Sequence, residues 1–145
     1  ALVQGFEGSV SYDFGNINWT NNFTYMMDSK DKSTGNPLSL VPNYTINSIL
    51  KYDITDRLDA NFVYNQYGRQ KALQYAETRN AEVNTESVKS YSIAGINFGY
   101  KFSDQISTRL GINNIFDEQK LRDTSVKQSY NEPGRAYYAS LKYNF

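Results

Sequence analysis

Cations interleaved with aromatic rings are the residues of this chain best equipped for binding chemistry. Arg69, Lys71, Tyr75 and Arg79 fall within one polar stretch, and Lys120, Arg122, Lys127 and Tyr130 within another. Such a set draws in an anionic, ring-bearing ligand by Coulomb attraction and cation–π contact. The competing reading is two ordinary solvated loops, since Glu77, Glu82, Glu86 and Asp123 are interspersed among the cations. Catalysis has far less to draw on. With no His and no Cys, the chain cannot build Cys/His zinc sites, thiol nucleophiles or a Ser-His-Asp relay. Asp28, Asp31 and Asn36 hint at calcium, but the DxDxDG spacing with its closing Glu is missing, so no metal site is expected. Glu7, Asp13, Asp53 and Asp59 could supply carboxylate pairs for glycoside chemistry, yet strand parity explains each of them. The chain is expected not to be an enzyme and to need no cofactor.

The elements that position these residues follow from composition and period. The 145 residues carry 15 Lys+Arg against 15 Asp+Glu, a balance that argues against a nucleic-acid partner. Aromatics make up 15% of the residues, so much of the apolar material is ring carbon spread among polar neighbours. No run approaches the roughly 18 to 20 apolar residues of a membrane helix. Residues 1–10 lack the basic start and apolar block of a signal peptide. A leader is therefore expected to have been removed, or the natural N-terminus to lie elsewhere.

Sorting residues by the two-residue period of a strand gives the same result along the whole chain. One parity set reads Phe6, Gly8, Val10, Tyr12, Phe14 in the first segment and Ile17, Trp19, Asn21, Phe23, Tyr25, Met27 in the second. Tyr44 to Ile54, Leu58 to Tyr64, Ala94 to Phe102, Ile106 to Ile112 and Tyr137 to Phe145 continue the pattern. None of the seven apolar sets holds a charge, whereas the opposite sets hold Glu7, Asp13, Asp28, Lys51, Asp53, Asp59, Lys101, Arg109 and Lys142. Gly15-Asn16, Thr55-Asp56-Arg57 and Ser103-Asp104-Gln105 read as tight turns, and the spans near 29–42, 70–88 and 117–134 as long polar loops. An antiparallel meander of about seven strands is predicted.

Alternation alone does not say whether the apolar set meets a core or lipid, and a soluble lipocalin-like carrier would share it. Three features favour lipid. Rings crowd the strand ends, with Phe14, Trp19, Tyr52, Tyr100, Phe102, Tyr143 and Phe145 at the short-turn rim and Tyr25, Tyr44 and Tyr137 at the long-loop rim. Connections are short on one rim and long on the other. The last strand ends on Phe145 with apolar residues at alternate positions behind it, like the assembly signal of bacterial outer-membrane proteins. Seven strands ending in the periplasm place Ala1 outside, whereas single-chain bacterial barrels have even strand numbers. The expectation is thus the C-terminal segment, residues 1–145, of a larger transmembrane antiparallel β-barrel. The alternative is an eighth strand hidden in a long loop, completing a small outer-membrane barrel with an adhesin or structural role.

Several stretches resemble, in order, the end of TonB-dependent outer-membrane siderophore receptors: Gly5-Phe6-Glu7-Gly8-Ser9, Trp19-Thr20-Asn21-Asn22-Phe23-Thr24-Tyr25-Met26, Pro42-Asn43-Tyr44-Thr45-Ile46-Asn47-Ser48, Tyr67-Gly68-Arg69-Gln70, Asn113-Asn114-Ile115-Phe116-Asp117 and Asn131-Glu132-Pro133-Gly134-Arg135. The second and last are similar to the ferric-enterobactin type, while the loop from Asp117 to Tyr130 is shorter than that pattern. The resemblance implies a barrel of about 22 strands plugged by a separate N-terminal domain, with the plug and its TonB-contacting segment absent here. It implies a multi-pass protein of the bacterial outer membrane that takes up a ferric catecholate siderophore as cargo. Implied partners are that siderophore, the rest of the barrel and plug, TonB, outer-membrane lipid, and colicins or phages. Arg69, Lys71, Tyr75, Arg79, Lys120 and Arg122 are then the expected ligand contacts in the external loops.

Overall fold

A computed structural model of the chain describes residues 1–38, 40–74, 84–119, 121–122, 130–131 and 133–145. Seven long strands form one antiparallel sheet: β1 (Leu2–Asp13), β2 (Ile17–Lys30), β3 (Tyr44–Asp53), β4 (Leu58–Tyr67), β7 (Tyr91–Lys101), β8 (Ile106–Asn113) and β11 (Ala136–Tyr143). Between them, β5 (Gln70–Gln74) pairs with β6 (Asn84–Val88), and β9 (Leu121–Arg122) pairs with β10 (Tyr130–Asn131). The spans near 70–88 and 117–134 are therefore not simple loops; each contains a short hairpin. Their sequences mix polar and apolar residues on both parities, so nothing in the period marks them as strands. Within the described residues these four strands pair only with each other. No eighth strand joins the large sheet there, and β1 and β11 are each paired on one side.

The apolar parity set lies open on one face. Phe6, Leu110 and Leu141 are 65%, 56% and 73% exposed, and the only buried apolar side chains among the described residues are Val88, Tyr91 and Ala94. A soluble carrier needs that set enclosed, so this arrangement counts against it. Two polar side chains on the apolar face are paired within the sheet. Trp19 Nε1 donates to Ser48 Oγ at 2.8 Å, and Thr108 Oγ1 donates to the Ser140 carbonyl at 2.8 Å. At the short-turn rim three ring pairs repeat two residues apart: Tyr12 with Phe14, Tyr100 with Phe102 and Tyr143 with Phe145, at centroid distances of 4.2, 5.0 and 5.0 Å.

The other face is laced by hydrogen bonds between registered residues. Ser9, Asn22, Asn47 and Asn65 form a ladder across β1 to β4 with contacts of 2.8, 3.1 and 2.7 Å. Further along, Asp59, Gly99 and Arg109 share one register line. Arg109 spans β7 above Gly99 to reach Asp59 at 2.8 Å, and also donates to Asn97. Any side chain at Gly99 would collide with both partners. The tight turns use one device twice: Thr55 Oγ1 accepts from Arg57 and Leu58 N–H, and Ser103 Oγ from Gln105 and Ile106 N–H. Asp53 N–H to Asn16 O, Lys101 N–H to Arg57 O and Asn144 N–H to Gln105 O then link neighbouring turns along the rim.

Candidate functional site

A cleft of about 500 Å³ opens at the long-loop rim, where the end of β2 meets the start of β5. A β-bulge at Met27 shifts the β1–β2 register, so Gly5 faces Met26 while Gln4 faces Asp28. Past the bulge, Asp28 and Lys30 form an ion pair at 2.7 Å. The chain then turns on Asp31, whose carboxylate accepts from the Ser33 hydroxyl and the Ser33 and Thr34 N–H groups. Those donors, the Ser33 hydroxyl foremost, hold the Asp31 carboxyl below its ordinary value, because they stabilise the charged form. Leu38 N–H returns to Ser29 O, Leu40 N–H reaches Lys71 O, and Asn43 N–H reaches Arg69 O. The first long loop thereby ties β2 to the stretch that carries Arg69 and Lys71. Gly68 lets this happen: a Cβ there would run into Asn43 and the Tyr44 ring.

Arg69 and Lys71 both line the cleft and are exposed. Opposite in parity, Gln70 is 2% exposed, also lines the cleft, and has its Oε1 buried without a hydrogen-bond partner among the described residues. Gln70 registers with buried Val88, and below them Tyr67 stacks on Tyr91 at 5.0 Å. Asp28 and Lys30 complete the polar wall; Met26, Met27, Pro37, Leu38 and Val41 supply the apolar one. Of the sequence-predicted contacts, the structure brings together Arg69 and Lys71. Tyr75, Arg79, Lys120 and Lys127 lie outside the described residues, and of Arg122 and Tyr130 the backbones are described, in register with each other. Lys30, Asp28 and Gln70 were missed. About forty residues separate Lys30 from Arg69 and Lys71, and no local pattern reports a contact made through a loop folded back on itself.

The connection between β8 and β11 is anchored by the Asn114 to Asp117 stretch. Asn114 is 3% exposed and sits at φ 52, a left-handed conformation that Asn tolerates. Its Nδ2 donates to the carbonyls of Glu118 and Pro133 at 2.8 Å each, while its Oδ1 accepts from Glu118 N–H at 2.9 Å. Asp117 accepts from Arg135 N–H at 2.7 Å, and this contact above all holds its carboxyl below the ordinary value. One buried side chain thus joins both stems of the connection, which gives a physical reason for the Asn-Asn-Ile-Phe-Asp stretch.

A model of the family described as TonB dependent receptor-like, beta-barrel, matches residues 1–115. The chain is 69% identical over 156 residues to the probable TonB-dependent siderophore receptor PirA of Acinetobacter baumannii, covering 100% of this chain and 21% of that protein. It is 40% identical over 151 residues to the ferric enterobactin receptor PirA of Pseudomonas aeruginosa, covering 100% of this chain and 20% of that protein. The crystal structure of the siderophore receptor PirA from Acinetobacter baumannii superposes with a TM-score of 0.88 at 68% identity, over 99% of this chain and 22% of that one. The chain spans about a fifth of the length of the curated relatives it matches.

Proposed function

Because the chain belongs to the TonB-dependent receptor-like β-barrel family, we propose that it forms the C-terminal wall segment of a bacterial outer-membrane receptor for a ferric catecholate siderophore of the enterobactin type. The observation that carries this reading is the cationic cleft at the long-loop rim of a sheet whose apolar face is open to its surroundings. A ferric catecholate is bulky, anionic and ring-rich. Arg69 and Lys71 offer charge-assisted hydrogen bonds to its oxygens, and the methionine and aliphatic wall offers contact for its rings. Tyr75, Arg79, Lys120 and Arg122 would extend the capture surface in the neighbouring connections. Polypeptide outside these residues would complete the barrel along the edges of β1 and β11 and supply the plug and the TonB contact. In this reading the strands cross the outer membrane, the loops capture cargo outside, and TonB-driven movement of the plug admits it. Transport, not chemistry on the cargo, is the activity.

The test is equilibrium binding of ferric enterobactin to the complete protein carrying this chain, reconstituted in vesicles. Replacing Arg69 and Lys71 together by Ala is expected to weaken binding about tenfold, two exposed charge contacts together being worth about 1.4 kcal/mol. Undiminished affinity in that variant would remove the cleft from the capture surface. No ferric enterobactin binding by the unaltered protein would overturn the ligand assignment itself.

A further inference from the structure

We propose that Asp28 holds Lys30 in reserve, and that Lys30 is handed from Asp28 to an anionic, ring-bearing arm of the ligand when that arm enters the cleft between β2 and β5. The inference rests on the receptor reading and deepens it, adding Lys30, Asp28 and Gln70 to a surface otherwise represented by Arg69 and Lys71. Geometry places the three cations on one wall system, since Lys30, Arg69 and Lys71 all line the same cavity. Of these, only Lys30 has an ion-pair partner among the described residues, Asp28 at 2.7 Å. The side chains of that pair are 44% and 32% exposed, so water and salt compete with it continually. Such a pair shifts an equilibrium by no more than about fivefold, and an arriving anion flanked by Arg69 and Lys71 can displace it.

Gln70 is an independent pointer to a guest. Its side chain is almost wholly buried at the cleft wall, and its Oε1 has no partner among the described residues. Buried polar atoms in folded proteins are nearly always paired, and Oε1 can only accept. With a turn of the side chain toward the cavity it would take a donor of the guest, such as an amide N–H beside the ring, while the anionic oxygens go to the cations. The cavity, about 500 Å³, is of the size that small-molecule sites occupy. Met26, Leu38 and Val41 give a ring an apolar wall next to the cations. Asp28 makes the site selective: the pair is neutral until a stronger anion arrives, so weak anions gain little from Lys30.

The experiment is ferric enterobactin binding to the complete protein in vesicles, measured at low salt and at about 0.5 M salt. Asp28→Asn frees Lys30 and is expected to tighten binding about two- to fivefold. Lys30→Ala leaves Asp28 facing the ligand and is expected to weaken it by a similar factor. Gln70→Leu removes the directional contact and is expected to cost about two- to tenfold. The Asp28→Asn gain should shrink at high salt, because salt competes with the half-exposed Asp28–Lys30 pair and so already frees Lys30 in the unaltered protein. If that gain is absent or reversed at low salt, or is undiminished at high salt, while the unaltered protein binds normally, the hand-over is wrong and the receptor reading stands. If the unaltered protein binds no ferric enterobactin, both fall together.

Discussion

Arg109 reaches across a whole strand to Asp59 because the residue between them on the register line is Gly99. A missing side chain is what makes that ion pair possible, and reading residues singly would not reveal it. The same holds for Asn114, whose amide makes two hydrogen bonds with Glu118 and a third with Pro133, tying together stems almost twenty residues apart in the chain. Asn114→Ala leaves the Glu118 and Pro133 carbonyls without their donor at a nearly buried site and is expected to cost about 1 to 3 kcal/mol. The loss should be local. Proteolytic cleavage between 118 and 133 should quicken, while cleavage at the short turns stays unchanged. Equal rates in the variant and the unaltered protein would mean that other contacts hold the connection. The sequence already displayed Asn114 and Asp117 as a motif, but it did not display the physical role, which depends on a left-handed backbone and on partners beyond the loop.

At the scale of elements, the seven long strands were legible because lipid and lumen impose opposite demands on alternate residues. Parity sorting therefore located Ile17, Leu58 and Ile106 as strand starts directly. The hairpin of β5 and β6 was not legible. It stands at the rim, away from the two contrasting environments, and Gln70-Lys71-Ala72-Leu73-Gln74 carries no alternation that separates faces. The bulge at Met27 was equally silent, since it is fixed by pairing with β1 rather than by residue type. The contrast between faces can be tested on β8. Leu110→Arg puts a guanidinium on the apolar face and is expected to destabilise the barrel by about 2 to 4 kcal/mol. Ser107→Glu, on the opposite parity and in register with Lys101 and Lys142, is expected to cause no loss beyond about 0.5 kcal/mol. Urea unfolding in vesicles reads both, and similar losses at the two positions would contradict the assignment of faces.

Across the molecule, two rims of the same sheet have different work. The short-turn rim is knitted turn to turn and belted with paired rings, whereas the long-loop rim folds chain back on itself to enclose a charged cleft. Strands of about ten residues hold those rims roughly 30 Å apart, far enough for a probe to tell them apart. The decisive measurement uses the absence of cysteine from this chain. A fluorophore is attached at Thr34→Cys beside the cleft or at Asp104→Cys on the opposite rim, in the complete protein, and ferric enterobactin is added. The ferric complex quenches fluorophores close to it. Strong saturable quenching at position 34, lost with the Arg69 and Lys71 double alanine variant, together with little at position 104, is the expected result. Quenching confined to position 104, or none at 34 while the ligand demonstrably binds, would place capture elsewhere and contradict the assignment of the cleft.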